Sequence, residues 1–127
     1  MTFSSNHLSE WLEHLEVAHI KPIDLGLDRV LTVKNRLIAN HVLTLNYPII
    51  TVGGTNGKGS TCAFLEQMLM AAGYKVGCHT SPHIIEFTER ARFNGLEATE
   101  AQLLPFFEQI EAACQQSPVV SLSYFEF

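Results

Sequence analysis

The sequence predicts an α/β chain built on a mainly parallel sheet, and three neighbouring stretches carry that prediction. Pro48-Ile49-Ile50-Thr51-Val52 is a nearly continuous apolar run rich in β-branched residues, the pattern of a parallel strand buried on both faces. Residues 53–61 make a glycine-rich turn. Behind it Phe64, Leu65, Met68, Leu69 and Ala72 recur at one-, three- and four-residue steps, one face of a helix that ends near Gly73. Lys75 to Thr80 then reads as a second strand. Such a strand, helix, strand order connects right-handedly with parallel strands, and its ligand site lies beyond their carboxyl ends. The glycine turn and Ser81 both fall at that edge.

The flanks read as helices. Leu8, Trp11, Leu12 and Leu15 have helical spacing behind the possible caps Ser4 and Ser5, giving a helix over about residues 6–18. A second covers about 27–40, after a connection, Ile23 to Leu27, whose Asp24 and Gly26 suit a turn. Glu89 to Gly95 alternates and closes in an Asn-Gly turn, an extended segment with Arg90 and Arg92 on one face. Thr99 to Gln115 is helical, with Thr99 and Gln102 spaced as a capping box and Leu103, Phe107, Ile110 and Cys114 on one side. Pro105 predicts a kink there, or a start nearer Leu104. Ser123 and Glu126 repeat the capping-box spacing, making Tyr124 to Phe127 the first turn of a further helix.

Composition bounds the rest. The 127 residues amount to about one small domain, and 46% hydrophobic with 17% charged residues makes it globular. No apolar run reaches the length of a membrane span. The first thirty residues mix His, Glu, Lys and Asp with apolar positions, so no signal peptide or membrane helix is expected, and the cytoplasm is the expected location. Cys62, Cys78 and Cys114 are odd in number and widely spaced, which predicts reduced, mostly buried thiols. A net charge of −5 without a Lys/Arg cluster leaves no field for nucleic acid. His7, His14, His19, His41 and His79 lack metal-ligand spacing.

The glycine turn, Gly53-Gly-Thr-Asn-Gly-Lys-Gly-Ser-Thr61, has the build of a phosphate-binding loop. Glycines let successive N–H groups converge on one anion, Lys58 adds a mobile charge, and the helix behind offers its unpaired N-terminal donors. A nucleoside triphosphate is the expected ligand. The spacing departs from the common Walker pattern: three residues separate Gly53 from Gly57, and Gly59 stands between Lys58 and Ser60.

The local strings choose among the enzymes that use such loops. Asp24-Leu25-Gly26-Leu27, Gly54 to Thr61, Thr80-Ser81-Pro82-His83, Glu89-Arg90 with Arg92 and Asn94-Gly95, and Ser123-Tyr124-Phe125-Glu126 occur in one order. In that order, over most of its length, the chain resembles the amino-terminal part of the bifunctional dihydrofolate synthase/folylpolyglutamate synthase family, within the Mur ligase superfamily. The resemblance implies a P-loop NTPase-like three-layer α/β domain. Residues 1–127 would be the amino-terminal portion of its ATP-binding domain, the sheet incomplete and the remainder of that domain and a carboxy-terminal domain lying elsewhere.

It also implies chemistry. Family members phosphorylate the carboxylate of dihydropteroate, or of a folate's terminal glutamate, with ATP and let the amine of L-glutamate displace phosphate. Thr55, Asn56, Gly57, Lys58, Gly59 and Ser60 would cradle the phosphates, with Lys58 as the catalytic charge. Ser60 and Thr61 equally suit helix capping. Ser81 would ligate Mg²⁺, or serve only as a turn residue. Asp24, Leu25 and Gly26, with Ser123, Tyr124, Phe125 and Glu126, would meet the pterin, or form core aromatics and a cap. His83 has no identifiable partner, and Arg90 and Arg92 suit either an anionic substrate or ion pairs with Glu86 or Glu89. The parent is expected to be a monomer whose partners are these small molecules, with no nucleic acid or membrane. The 127 residues are expected not to turn over alone, and Phe125 and Phe127 to lack their packing partners. A cell-wall Mur ligase segment and a non-catalytic nucleotide-binding module are the competing readings, the first disfavoured by the Asp-Leu-Gly-Leu and Ser-Tyr-Phe-Glu strings.

Overall fold

A computed structural model describes residues 2–18 and 26–127. The chain divides into two compact units, Met1–Asn46 with Glu100–Phe127, and Tyr47–Thr99.

The first unit is helical: α1 (Leu8–Ala18), α2 (Asp28–Ala39) and α4 (Glu100–Cys114). Ser5 organises the start of α1 by accepting the His7 N–H at 3.0 Å and donating to Glu10 at 2.6 Å. The predicted apolar stripe is the buried one, since Leu8, Trp11 and Leu15 all go inside. Both α1 and α2 pack on α4. Trp11 is fully buried, its ring edge-on to Phe3 at 4.8 Å and Phe107 at 5.8 Å, and its indole N–H donates to the Ser5 carbonyl at 3.0 Å. A second cluster joins Val33 of α2 to Ala113, Cys114 and Leu122. Burial, with the nearby Glu111 carboxylate, pushes the Cys114 thiol up to about 11, so it stays protonated at neutral pH. Arg36 donates to the Ala113 carbonyl at 2.8 Å and that of Pro118 at 2.6 Å, a cation where the last carbonyls of α4 need donors.

Two expectations change here. α4 starts at Glu100 and runs through Pro105, not from Leu104. An interior proline costs a helix about 3 kcal/mol, and the burial of Leu103, Phe107 and Cys114 along one face outweighs it. Phe127 is not left without packing: its ring lies 5.4 Å from that of Phe107 and 6.1 Å from that of Trp11. Phe125, in contrast, is exposed.

The second unit holds α3 (Lys58–Ala71) and three short strands, β1 (Gly77–His79), β2 (Ala91–Phe93) and β3 (Leu96–Glu97), with a 3₁₀ turn at Phe87–Arg90. The mixed α/β class is as predicted. The pairing is not parallel, however: the sheet has order β1-β2-β3, and both pairs are antiparallel. The Asn94-Gly95 hairpin accounts for the β2–β3 pair, because a two-residue turn can only join antiparallel neighbours. Residues 48–52 form no strand, and Ile49 and Ile50 are exposed; a parallel strand needs a ladder partner, and none pairs with it among the described residues.

Nor does α3 bury the predicted stripe. Phe64 and Met68 face solvent, while Glu66 is its buried residue. Arg92 explains this: its Nη2 lies 2.7 Å from the Glu66 carboxylate, and its Nε–H donates to the same group at 3.0 Å. The two arginines therefore do not share one extended face. Arg90 ends the 3₁₀ turn, and Arg92, in β2, pairs with neither Glu86 nor Glu89 but with Glu66. That hydrogen bond holds the Arg92 guanidinium protonated more firmly than usual. Replacing Arg92 with alanine strands a carboxylate only 4% exposed. We expect a loss of about 2–3 kcal/mol, visible as a lower urea midpoint, and recovery of most of it in Arg92→Ala/Glu66→Gln.

Candidate functional site

The glycine loop leads into α3 at Gly57, whose φ of 76° is left-handed. A side chain there is strained, so glycine is required by the backbone. No side chain caps the helix, and its first-turn N–H groups open toward the loop. Lys58 folds back, donating from Nζ to the Gly54 carbonyl at 2.6 Å and lying 3.5 Å from that of Thr55. Its ammonium is thus held by neutral carbonyls within an exposed loop, ready to exchange them for an anion.

The structure separates Ser60 from Thr61. Thr61 Oγ1 donates to the Gly57 carbonyl at 2.9 Å, a bond along the helix, whereas the Ser60 hydroxyl has no partner among the described residues. Neither caps the helix, since the N-cap is Gly57.

Ser81 follows β1. The Arg92 guanidinium touches both Glu66 of α3 and the sulfur of Cys78 in β1, the latter at 3.5 Å, and so ties the helix to the sheet. Ser81 is exposed with no partner for its hydroxyl among the described residues, which suits a hard cation held largely by water and phosphate. The Ser81–Pro82 peptide is cis. Burial beside this contact raises the Cys78 thiol above its usual range despite Arg92.

Beyond Ser81 the chain is tightly tied. Glu89 accepts the N–H groups of Ile84 at 2.8 Å, Ile85 at 2.7 Å and Glu86 at 2.7 Å, and these bonds lower its pKa. Arg90 donates from Nε to Nδ1 of His83 at 2.7 Å, the partner that the sequence alone does not identify.

The helical unit carries the other candidate residues. Asp24 and Leu25 lie outside the described residues, and Gly26 just precedes α2. Ser123 and Glu126 do form the helix-like turn: the N–H groups of Glu126 and Phe127 both reach the Ser123 carbonyl at 3.0 Å, and the Ser123 N–H donates to Glu126 at 2.9 Å. Arg29 of α2 completes the arrangement with a two-pronged contact to Glu126, at 2.7 and 3.2 Å. Arg29 is the residue sequence reasoning missed; an arginine at the second position of a helix carries no local mark of a partner 97 positions away. The Phe125 ring is exposed and the Glu126 carboxylate is engaged.

Burial alone would raise the Glu126 carboxyl, but the bonds from Arg29 and Ser123 outweigh it and the net shift is downward. A folded-state pKa below the unfolded one means stability that is present above the ordinary value of 4.5 and lost as pH falls through the lowered one. The urea midpoint of the chain is expected to drop as acid is added below that value, with a shallower drop in Glu126→Gln.

No family model matches the chain. Known proteins do. The dihydrofolate synthase/folylpolyglutamate synthase of Escherichia coli K12 is 48% identical over 124 residues, which is 98% of this chain and 28% of that protein. Over nearly its whole length the chain is similar to part of the dihydrofolate synthase/folylpolyglutamate synthases. It spans only about 28% of the length of such relatives. Among solved structures of the family, E. coli FolC in complex with DHPP and ADP matches with a TM-score of 0.82 and 50% identity, over 94% of this chain and 27% of that one. The Yersinia pestis enzyme complexed with AMPPNP and Mn ion matches with a TM-score of 0.81 and 48% identity, over 94% and 28%. At these TM-scores the two solved chains show this backbone within a larger protein of the family.

Among the described residues no helix is long and apolar enough to cross a membrane, and no group of three or more His, Cys, Asp or Glu is placed to hold a metal.

Proposed function

We propose that this chain supplies the ATP phosphate site of an enzyme that ligates L-glutamate to dihydropteroate, or to the glutamate tail of folates, through an acyl phosphate. One observation carries the reading: the uncapped N-terminus of α3, fed by a left-handed Gly57, with the Lys58 ammonium resting on loop carbonyls beside it. This is a cradle for phosphate oxygens. The family supplies the substrates. ADP, AMPPNP and Mn are bound in relatives' structures, and ATP with Mg²⁺ is the reading for this chain.

A carboxylate is a poor electrophile, so it must be activated before an amine can attack it. In that step the loop N–H groups and Lys58 orient the phosphates and offset charge as it moves toward the leaving oxygen. A divalent ion, when bound, would add charge neutralisation at the phosphates, with Ser81 as its protein ligand and Ser60 positioned for metal or phosphate. In the helical unit, the Arg29–Glu126 contact holds the Ser123–Glu126 turn in place, and Gly26 and Phe125, with Asp24 and Leu25, complete the pterin-facing set of this reading. The parent acts as a monomer in the cytoplasm.

Residues 1–127 form the amino-terminal portion of the ATP-binding domain in this account. They are expected to bind Mg-ATP without turnover. The check is phosphate release by the purified chain given Mg-ATP, dihydropteroate and L-glutamate. No glutamate-dependent release is expected, and its appearance would show that these residues suffice for ligation.

A further inference from the structure

The helical unit contains a cleft that the nucleotide reading does not use. Its volume is about 230 Å³, and the buried side chains of Leu15, Cys114 and Leu122 line it together with Glu111 and Gln115. A dry cavity of about 150 Å³ already holds a benzene-sized molecule, so this one has room for a small aryl or alkyl body with a polar head. One wall is fixed by the start of the chain: the Phe3 ring stacks on that of His14 at 4.0 Å, and the Phe3 N–H reaches Glu111 at 3.4 Å.

Glu111 decides what the polar head must be. The residue is only 7% exposed. Its Oε1 accepts from the Gln115 amide at 2.9 Å as well as from Phe3, which occupies that oxygen, while Oε2 has no partner among the described residues. No Lys, Arg or His side chain contacts the carboxylate among those residues. A carboxylate this deeply buried needs an opposite charge or a full set of hydrogen bonds, and two neutral donors on one oxygen supply neither. The Gln115 amide oxygen beside it also accepts nothing among the described residues. No Lys or Arg lines the cleft, so an anion would meet no positive charge there.

We propose that this cleft binds a small organic cation, a primary ammonium on an aryl or alkyl body, with the ammonium donating to Glu111 Oε2 and the Gln115 amide oxygen and the body lying against Leu15 and Leu122. Charge, volume and apolar lining select that class together. The site lies wholly within the helical unit and does not depend on the glycine loop. Val119, 66% exposed and also lining the cleft, belongs to its mouth.

Benzylamine is the probe, with benzyl alcohol as its uncharged counterpart and benzoate as its anionic one, each titrated into the nitrogen-labelled 127-residue chain and followed by proton–nitrogen NMR. Benzylamine is expected to shift the amide resonances of Leu15, Gln115 and Leu122 saturably, with a dissociation constant of about 1 mM or tighter. Benzyl alcohol and benzoate should bind at least tenfold more weakly. Glu111→Gln keeps the shape and removes the charge, and should weaken benzylamine about tenfold, the value of one hydrogen bond to a charged group. Val119→Trp fills the mouth without replacing Glu111 and should weaken it as well. If Glu111→Gln does not fold, as urea unfolding shows, Val119→Trp and the two control ligands decide. Benzylamine that leaves these resonances unmoved, the cleft holding only water, overturns the proposal. So does benzyl alcohol or benzoate binding as tightly as benzylamine, or benzylamine binding undiminished to folded Glu111→Gln or to Val119→Trp.

Discussion

Replacing Trp11 with alanine is expected to cost the helical unit about 3–5 kcal/mol, a large part of what a small domain has. Trp11 is fully buried where Phe3, Phe107 and Phe127 meet it from three directions, so its removal opens a cavity that no single neighbour can fill. The Ser5 carbonyl loses its indole donor in the same step. Far-UV circular dichroism in urea is the right readout, because the chain has one tryptophan and the substitution removes its fluorescence. Trp11→Phe keeps most of the volume and should lose much less. An unchanged midpoint for Trp11→Ala would mean that α1 is not integral to the fold.

Replacing Lys58 with alanine is expected to reduce Mg-ATP affinity by at least tenfold while leaving the unfolding transition nearly unmoved. The lysine is exposed and bonds only carbonyls of its own loop, so it contributes little to stability. Opposite phosphate it makes charge-assisted hydrogen bonds, each contributing about 1.5–3 kcal/mol. Lys58→Arg tests geometry as well as charge: its planar fork fits a tight glycine loop poorly, so only partial affinity should return. A Lys58→Ala chain that loses stability as well as binding would show that the lysine is structural.

The legible parts of this chain were those set by local chemistry. The stripe Leu8, Trp11, Leu15 marked α1, the Asn94-Gly95 pair marked a hairpin, and Ser123 with Glu126 marked a turn that forms with those bonds. The glycine loop and Lys58 likewise declared the start of α3. Prediction failed where the outcome depends on distant partners. Residues 48–52 have the composition of a buried parallel strand, but a strand exists only when another chain segment accepts its hydrogen bonds. Along α3 apolar residues occur on several sides, so periodicity could not show that Glu66 would be drawn inward by Arg92, 26 positions away. Arg29 with Glu126, and Arg90 with His83, were invisible for related reasons. The residue types suggest a salt bridge or a hydrogen bond, and only the fold selects the partner. At the candidate site the loops were readable, whereas the contacts that stiffen them were not.

The most direct test of the nucleotide site is titration calorimetry of Mg-ATP into the folded chain, with Lys58→Ala titrated beside it. Saturable, one-to-one binding that weakens at least tenfold in the variant is the predicted result. A folded chain that takes up no Mg-ATP, or binds it equally well without Lys58, would contradict the claim that the loop at the head of α3 is a working phosphate site.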